Sequence, residues 1–369
     1  MKLVIVAGGK GKRLGTITKK VPKPMVKVSD ITFLEYLILF YSKFDLEKIF
    51  IMTGYKSKII YEKFNKKFFN GVEIICIREN KPMGNFGCLN KLKNKIHDNY
   101  FLYANGDSII DLDITKIIKK KTNFICLTKA KKIDDNKLSI KNKFLNINNK
   151  GKFKSAGLHL LNKTVLKLAN GEFLNFEKDI VPILIKYKKI KGKLYNNFFI
   201  DIGTKKNLLK LRKKLKKKNP GLFLDRDGTI NIDNGYTYKT KDLKIILKTI
   251  KYLKKNIDKR IFIITNQSGI ARGYFTTAQM FKFYKKLKKI LIREKIYIND
   301  YQWCPHHPQA KIKKYKKNCN RRKPNNKMIE DLIKKWNIKR NKSVMIGNSD
   351  ADYLAARKSR IKFINIKNI

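Results

Sequence analysis

The feature that most limits what this chain can become is a repeated alternation of strand-like and helix-like segments. Short apolar runs rich in β-branched residues recur and end in Gly, Asp, Asn or Thr. In the first half they are Leu3–Ala7, Ile49–Met52, Ile74–Ile77, Phe101–Ala104 and Phe124–Leu127. In the second half they are Leu222–Leu224, Ile261–Ile264 and Val344–Ile346. Helix-length segments such as Phe33–Phe44, Leu243–Lys255 and Ala278–Ile292 lie between them. This order predicts α/β layers with mainly parallel sheets.

A chain of 369 residues suits two such domains at ~150 residues each. Lys205–Lys218 reads as a basic terminal helix, Asn219-Pro220-Gly221 punctuates it, and a new buried strand begins at once. The expected domains are therefore 1–218 and 219–369. With 43% apolar residues the chain can build ordinary cores, so a disordered protein is excluded. The charge is +59, from 87 Lys+Arg less 28 Asp+Glu. These lysines are spread over loops, helices and linker rather than gathered on one arm, which argues against specific nucleic-acid binding. A positive field of this kind attracts phosphorylated small molecules.

Five cysteines, Cys76, Cys88, Cys126, Cys304 and Cys319, are too few and too scattered for a disulfide framework. The run after Met1-Lys2 stops at Gly8, short of a signal-peptide core. No segment approaches the ~18 apolar residues of a membrane helix. A cytoplasmic protein without membrane contact is expected.

Two places carry chemistry. The first strand runs into Gly8-Gly9-Lys10-Gly11-Lys12-Arg13-Leu14, whose glycines let backbone N–H groups approach an anion. Val6 and Arg13 break a Walker loop, and Leu14 breaks a dinucleotide fingerprint. With Pro22-Lys23-Pro24-Met25, Asn105-Gly106-Asp107 and Asp201-Ile202-Gly203-Thr204, the series resembles the sugar-1-phosphate nucleotidyltransferase family over about residues 1–215. Phe33-Leu34-Glu35-Tyr36-Leu37 and Gly54-Tyr55-Lys56 make it most similar to the heptose-1-phosphate guanylyltransferase branch.

That resemblance implies a nucleotidyltransferase (GT-A-like) sheet. Gly8, Gly9, Gly11 and Arg13 would hold the nucleoside triphosphate, and Lys23 would face the reacting phosphates. Asp107 and Asp201 would share Mg²⁺, while Glu177 and Lys178 would contact the sugar. One departure stands out: the family's Leu-Gly-Thr-Gly-Gly loop is Met83-Gly84-Asn85-Phe86-Gly87 here. It sets a bulky Phe86 ring near the expected nucleotide.

The second place is Leu224-Asp225-Arg226-Asp227-Gly228-Thr229 after a buried strand. Two carboxylates two residues apart can serve as a phosphate-accepting nucleophile and a general acid/base, provided cations neutralise the phosphate. Thr265-Asn266-Gln267-Ser268-Gly269, Arg322-Lys323-Pro324 and Gly347-Asn348-Ser349-Asp350-Ala351-Asp352 follow. In a parallel sheet the loops after such strands converge on one crevice.

This ordered set resembles the haloacid-dehalogenase phosphatase superfamily. Asn231–Tyr236 and Thr265–Gly273 narrow it to the heptose-1,7-bisphosphate phosphatases, over residues 221–369. The resemblance implies Asp225 as nucleophile and Asp227 as acid/base, with Thr265, Arg322 and Lys323 stabilising the transferring phosphoryl. Asp233, Asn234, Gly235, Tyr236, Asn266, Gln267, Ser268 and Arg272 would lie on the substrate side. Asp225, Asp227 and Asn348 would hold Mg²⁺. Asn348 replaces the family's Asp, so a weaker metal site is expected, with Asp350 and Asp352 as candidate compensators.

Cys304, His306 and Cys319 match three of that family's four zinc ligands, and Arg321 stands at the fourth. Two outcomes stay open: zinc on an incomplete set, with His307 as a substitute ligand, or a metal-free loop packed by Trp303. The second is favoured, because a closed structural site takes four ligands.

Together the two resemblances imply a bifunctional enzyme. Removing the 7-phosphate of a heptose 1,7-bisphosphate yields a heptose 1-phosphate, which nucleotidyl transfer from GTP turns into GDP-heptose for surface polysaccharide. Two alternatives remain at this point. One is a different hexose-1-phosphate nucleotidyltransferase joined to a histidinol-phosphate-type phosphatase. The other is a degenerate basic nucleic-acid-binding protein.

Overall fold

Each apolar run lands on a strand in the computed structural model, which describes residues 1–131, 137–141, 144–148 and 150–369. The chain divides into two units. One is Met1–Ile38, Leu46–Phe68 and Val72–Arg212; the other is Leu39–Asp45, Phe69–Gly71 and Lys213–Ile369. Among the described residues no helix is long and apolar enough to cross a membrane.

In the first unit, strands Val72–Arg78, Lys48–Thr53, Lys2–Val6 and Tyr100–Asn105 lie side by side and parallel. The next strand, Phe153–Asn162, is antiparallel to Tyr100–Asn105 and to Asn123–Lys129 beyond it. This sheet is thus mixed, where the sequence pattern predicted mainly parallel pairing. The long strand escaped notice because its alternation breaks at Gly157 (φ +69), where the register shifts between Ser155 and His159. A two-stranded ribbon, Ser108–Ile110 with Phe199–Asp201, sets Asp201 opposite Ser108. That pairing carries Asp201 to the neighbour of Asp107.

The second unit has five strands, all parallel, in the order Ile298–Cys304, Arg260–Asn266, Gly221–Leu224, Val344–Gly347, Lys362–Asn365. Gly221–Leu224 comes first in this unit's sequence yet sits centrally, so the strand order reverses on either side of it. A crevice opens at such a reversal, outside the carboxyl ends of the strands. Asp225, Thr265 and Asn348 belong to the ends of the three central strands.

Helix Thr277–Arg293 covers this sheet. A capping box between Thr276 and Gln279 starts it, and Met280, Tyr284, Leu287 and Leu291 recur on its buried face. Each of these large side chains, taken from water, contributes roughly 1.5–3 kcal/mol.

Candidate active sites

The first site lies at the ends of the parallel strands of the amino-terminal unit, in a cleft of about 680 Å³. Gly8, Gly9 and Lys10 line it together with Lys23, Asn105 and Asp107. Gly11 holds φ +69, and a Cβ there would stand 2.7 Å from Lys23 Cβ. Glycine is needed at that point for the loop to rest against the lysine.

Lys23 is buried, and its Nζ donates to Asp107 Oδ2 at 2.5 Å and Asp201 Oδ1 at 3.4 Å. A Cβ on Gly203 would lie 2.9 Å from Asp201 Oδ1, 3.0 Å from Arg13 Nη2 and 3.2 Å from Lys23 Nζ. Arg13, Lys23, Asp107 and Asp201, separated in sequence by up to 188 positions, therefore meet. An ammonium already bridges the two carboxylates, so the donor set suits a hard cation. Mg²⁺ on Asp107 and Asp201 would neutralise phosphate oxygens.

A smaller cavity of about 220 Å³ adjoins Asp107 and Asp201 and includes Asn105, Ser108 and Glu177. Glu177 accepts from Asn85 Nδ2 (3.0 Å, to Oε2) and from Asn105 Nδ2 (3.4 Å, to Oε1). Lys178, expected beside Glu177 at the sugar, is exposed and forms no part of this wall. The expectation for Phe86 is also corrected. Its ring is fully buried, 5.9 Å from Phe176, and belongs to the core rather than to the nucleotide cleft. Glu79, which the sequence did not single out, lines the cleft. Burial pushes its carboxyl above the usual range, opposed by the Met83 N–H it accepts.

In the second unit a pocket of about 300 Å³ includes Asp225, Asp227, Thr265, Gln267, Lys323 and Asn348. Lys323 Nζ donates to Asp225 Oδ1 and Asp352 Oδ1, both at 2.6 Å, and to the Ile264 carbonyl at 3.1 Å. Burial pushes the Asp225 carboxyl up, Lys323 pulls it back, and Asp352 and Asp227 add to the rise. Burial also works against the Lys323 ammonium, but Asp225 and Asp352 hold it above its ordinary value. Asn266 clips the backbone of Lys323 at both ends, donating to its carbonyl (3.0 Å) and accepting from its N–H (3.1 Å).

Asp227 accepts four hydrogen bonds: two from buried Arg226 (2.8 and 2.7 Å), one from Gln267 (2.8 Å) and one from Asn231 (3.1 Å). Both its oxygens are engaged, so its side chain does not fit the metal role expected for it. Asp225 and Asn348 remain as the oxygen donors suited to Mg²⁺, whose charge would offset that of the phosphate. Asp352 does not compensate for Asn348 either. Its Oδ2 accepts from the N–H groups of Asn348 and Ser349 and from Ser349 Oγ, while its Oδ1 is held by Lys323. Asp350 sits exposed in the first turn of the following helix.

The remaining expected residues divide. Asp233, Gly235, Tyr236 and Asn266 line the pocket, with Tyr236 edge-on to Tyr274 at 4.9 Å. Asn234 is exposed, and its N–H donates to Thr237 Oγ1. Ser268 is buried off the wall, its carbonyl accepting the Arg272 N–H. Arg272 Nη2 lies 3.4 Å from His307 Nε2, and Arg322 donates to the His306 carbonyl at 3.4 Å. Neither arginine reaches the pocket wall; Lys323 alone of the Arg322-Lys323 pair meets Asp225.

Cys304, His306 and Cys319 bring their ligand atoms within 4.8 Å of one another. Burial raises the Cys304 thiol to about 11. Arg321, at the fourth position, is bound to Asp331 (2.8 Å) and Gln302 (2.5 Å). His307 accepts the Gln309 N–H at Nδ1 and meets Arg272 at Nε2, so it is not the missing ligand. The set is incomplete for a closed zinc site.

Residues 2–126 match the model of the nucleotidyl transferase family, and residues 312–366 that of the haloacid dehalogenase-like hydrolases. The D-glycero-beta-D-manno-heptose-1,7-bisphosphate 7-phosphatase of Photorhabdus laumondii is 38% identical over 144 residues, 38% of this chain and 77% of that protein. The chain belongs to the haloacid dehalogenase-like hydrolases through its carboxy-terminal part, and its amino-terminal part is similar to the nucleotidyl transferases. The D-glycero-alpha-D-manno-heptose 1-phosphate guanylyltransferase of Aneurinibacillus thermoaerophilus is 26% identical over 230 residues, 58% of this chain and 98% of that protein. HddC from Yersinia pseudotuberculosis superposes with a TM-score of 0.50 at 27% identity, over 58% of this chain and 98% of its own. That protein is also known in complex with GMP-PN.

Arg226, Asn85 and Asn105 are site neighbours that the sequence did not expose as such, and Asp352, expected as a substitute metal ligand, instead holds Lys323. The signals were present in two cases. Arg226 stands between two aspartates, and Asp352 follows Ser349 at capping-box spacing.

Proposed function

We propose that residues 219–369 remove the 7-phosphate of heptose 1,7-bisphosphate and that residues 1–218 transfer GMP from GTP to the resulting heptose 1-phosphate. GDP-D-glycero-α-D-manno-heptose is the product, made in the cytoplasm for surface polysaccharide. The observation that carries this reading is chemical. One chain holds a lysine-bridged aspartate pair in a cleft sized for a nucleotide and a buried aspartate nucleophile in a second pocket.

In the hydrolase, Asp225 attacks phosphorus and the bond to the sugar oxygen breaks; that oxygen's proton is assigned to Asp227, whose carboxyl has to release a hydrogen bond from Arg226 or Gln267 to carry it. Water then cleaves the aspartyl phosphate, and Asp227 takes its proton back. Lys323 holds the nucleophile and meets the charge on the phosphoryl oxygens. In the transferase, a phosphate oxygen of the sugar phosphate attacks the α-phosphorus of GTP, and pyrophosphate leaves in line. Arg13 and Lys23 face the charge that develops. We assign zinc no part in either reaction.

The relatives' names differ on one point: the phosphatase is named for the beta anomer and the guanylyltransferase for the alpha. A hydrolase feeding the attached transferase has to accept the alpha anomer. The test is incubation of the full chain with each anomer of heptose 1,7-bisphosphate, Mg²⁺ and each nucleoside triphosphate in turn. Release of phosphate and then pyrophosphate, with the alpha anomer and GTP, is the expected result. Preference for a hexose phosphate or for histidinol phosphate overturns it.

A further inference from the structure

The loop Met83–Gly87 departs from the pattern it resembles at Met83, Asn85 and Phe86, and the last two, adjacent in the chain, act on the same target. Phe86 packs its buried ring 5.9 Å from Phe176. Asn85 Oδ1 accepts the Phe176 N–H at 2.7 Å, and Asn85 Nδ2 donates to Glu177 Oε2 at 3.0 Å. The amide is fixed in orientation, because only its NH₂ end can donate to a carboxylate while the Phe176 N–H requires an acceptor. Its backbone is pinned as well, with the buried Tyr103 hydroxyl donating to the Asn85 carbonyl at 2.9 Å.

The target is a single π-helical turn, Phe176–Ile180, a strained form that recurs at functional sites. Glu177 projects from this turn into the cavity that adjoins Asp107 and Asp201. Asn105 holds its other oxygen at 3.4 Å. A carboxylate carries about four acceptor directions, so two amide donors leave acceptor capacity facing the cavity. Acceptor-only atoms repel phosphate and take hydroxyl donors, so this end of the cavity fits the polyol part of a sugar phosphate. A threonine hydroxyl can also accept an N–H and donate to a carboxylate, but from one atom on a shorter side chain, so it lacks the two separate ends with which the amide spans Phe176 and Glu177.

We propose that Asn85 and Phe86 are a positioning clamp that fixes Glu177 as the acceptor for sugar hydroxyls. The Asn85 amide thereby sets sugar-phosphate affinity and selectivity; Gly84 and Asn85 also line the nucleotide cleft, but both polar ends of that amide are engaged by Phe176 and Glu177, which leaves neither for the triphosphate. This inference rests on the transferase reading above but not on the sugar being a heptose.

Asn85→Thr restores the loop's usual residue and tests the clamp in the full chain. The KM for the sugar 1-phosphate should rise about tenfold, the scale of one hydrogen bond to a charged group, while the KM for GTP stays within about twofold. In a Glu177→Ala background the same change should have no further effect on the sugar KM. Amide hydrogen exchange at Phe176 should quicken in Asn85→Ala, which reports the lost bond without any turnover. An equal rise in both KM values, an unchanged sugar KM, or effects that simply add would each overturn the clamp.

The assays use whichever of heptose, mannose or glucose 1-phosphate the wild type accepts. Acceptance of a hexose alone sinks the heptose assignment and still tests the clamp. Where turnover is too slow, calorimetry with a non-hydrolysable GTP analogue present reads sugar-phosphate affinity directly. No sugar-phosphate binding by the wild type sinks both readings.

Discussion

Both units build the same device, a lysine between two aspartates, and they bury it to opposite degrees. In the transferase, Lys23 meets Asp107 and Asp201, whose side chains are 37% and 33% exposed. In the hydrolase, Lys323 meets Asp225 and Asp352, which are 11% and 0% exposed. Burying charges is expensive even when they are paired, so the closed version needs a reason. A nucleophile that must form a covalent bond gains from a fixed orientation and a dry surrounding. In the proposed reaction the transferase forms no covalent bond to its substrates and has to admit two large ligands, which an open cleft serves. Equal motifs thus diverge according to whether the protein itself reacts.

The largest effects should come from breaking one device at a time. Asp225→Asn removes the nucleophile, so phosphate release should fall by on the order of 10³-fold or more while pyrophosphate release from heptose 1-phosphate persists. Asp107→Asn should do the converse, lowering pyrophosphate release by roughly 10²-fold. With the bisphosphate and GTP, the first variant should accumulate the bisphosphate and the second heptose 1-phosphate. Mixing the two should restore GDP-heptose, because the intermediate diffuses. If either change silences both reactions in a folded protein, the two sites are not independent.

The strands and the loops that follow them were largely legible in the sequence, and the reason is physical. Strands buried on both faces write themselves as apolar runs, and reactive loops follow them directly, so Lys2–Val6, Gly221–Leu224 and the aspartates after the latter were readable. Phe153–Asn162 was not, because its bulge at Gly157 destroys the alternation. The roles of side chains were legible only where one residue acts alone. Asn266 looked like a substrate ligand, but its amide is spent on the backbone of Lys323. Phe86 looked like an obstruction because its direction depends on Phe176, 90 residues away. Partners that distant leave no local pattern.

A smaller effect should separate the units by pH. His159 lies in the transferase core, 4.7 Å from the Phe176 ring, and burial pulls it down to about 3 from 6.5. The folded state therefore refuses a proton that the unfolded chain accepts below pH 6.5. The stability this gives is complete above 6.5 and is lost as pH falls toward 3. At pH 5 the loss is about 2 kcal/mol, from ~1.36 kcal/mol per unit. His159→Phe keeps a ring in the same packing and should flatten that slope. Hydrogen exchange of transferase amides at pH 7 and pH 5 checks it, and an unchanged slope in the variant would assign the acid sensitivity elsewhere.

The smallest effect concerns the one residue at which the hydrolase device is electrically weaker than its family's pattern. Asn348 offers a carbonyl where a carboxylate is usual, beside Asp225 and over Gly228, whose Cβ would stand 2.3 Å from Asn348 Nδ2. Asp227 and Asp352 cannot make up the missing charge, because Arg226, Gln267, Asn231, Lys323 and the 348–349 turn already occupy their oxygens. A hard cation prefers an anionic oxygen to a neutral one. Asn348→Asp should therefore lower the Mg²⁺ concentration for half-maximal phosphate release by roughly tenfold, the scale expected when one ligand becomes charged. The Mg²⁺ dependence of pyrophosphate release should not move, since Asp107 and Asp201 are untouched. An unchanged requirement for phosphate release would mean that the amide carbonyl already suffices. The contrast between an open pair and a closed, charge-poor one would then rest on burial alone.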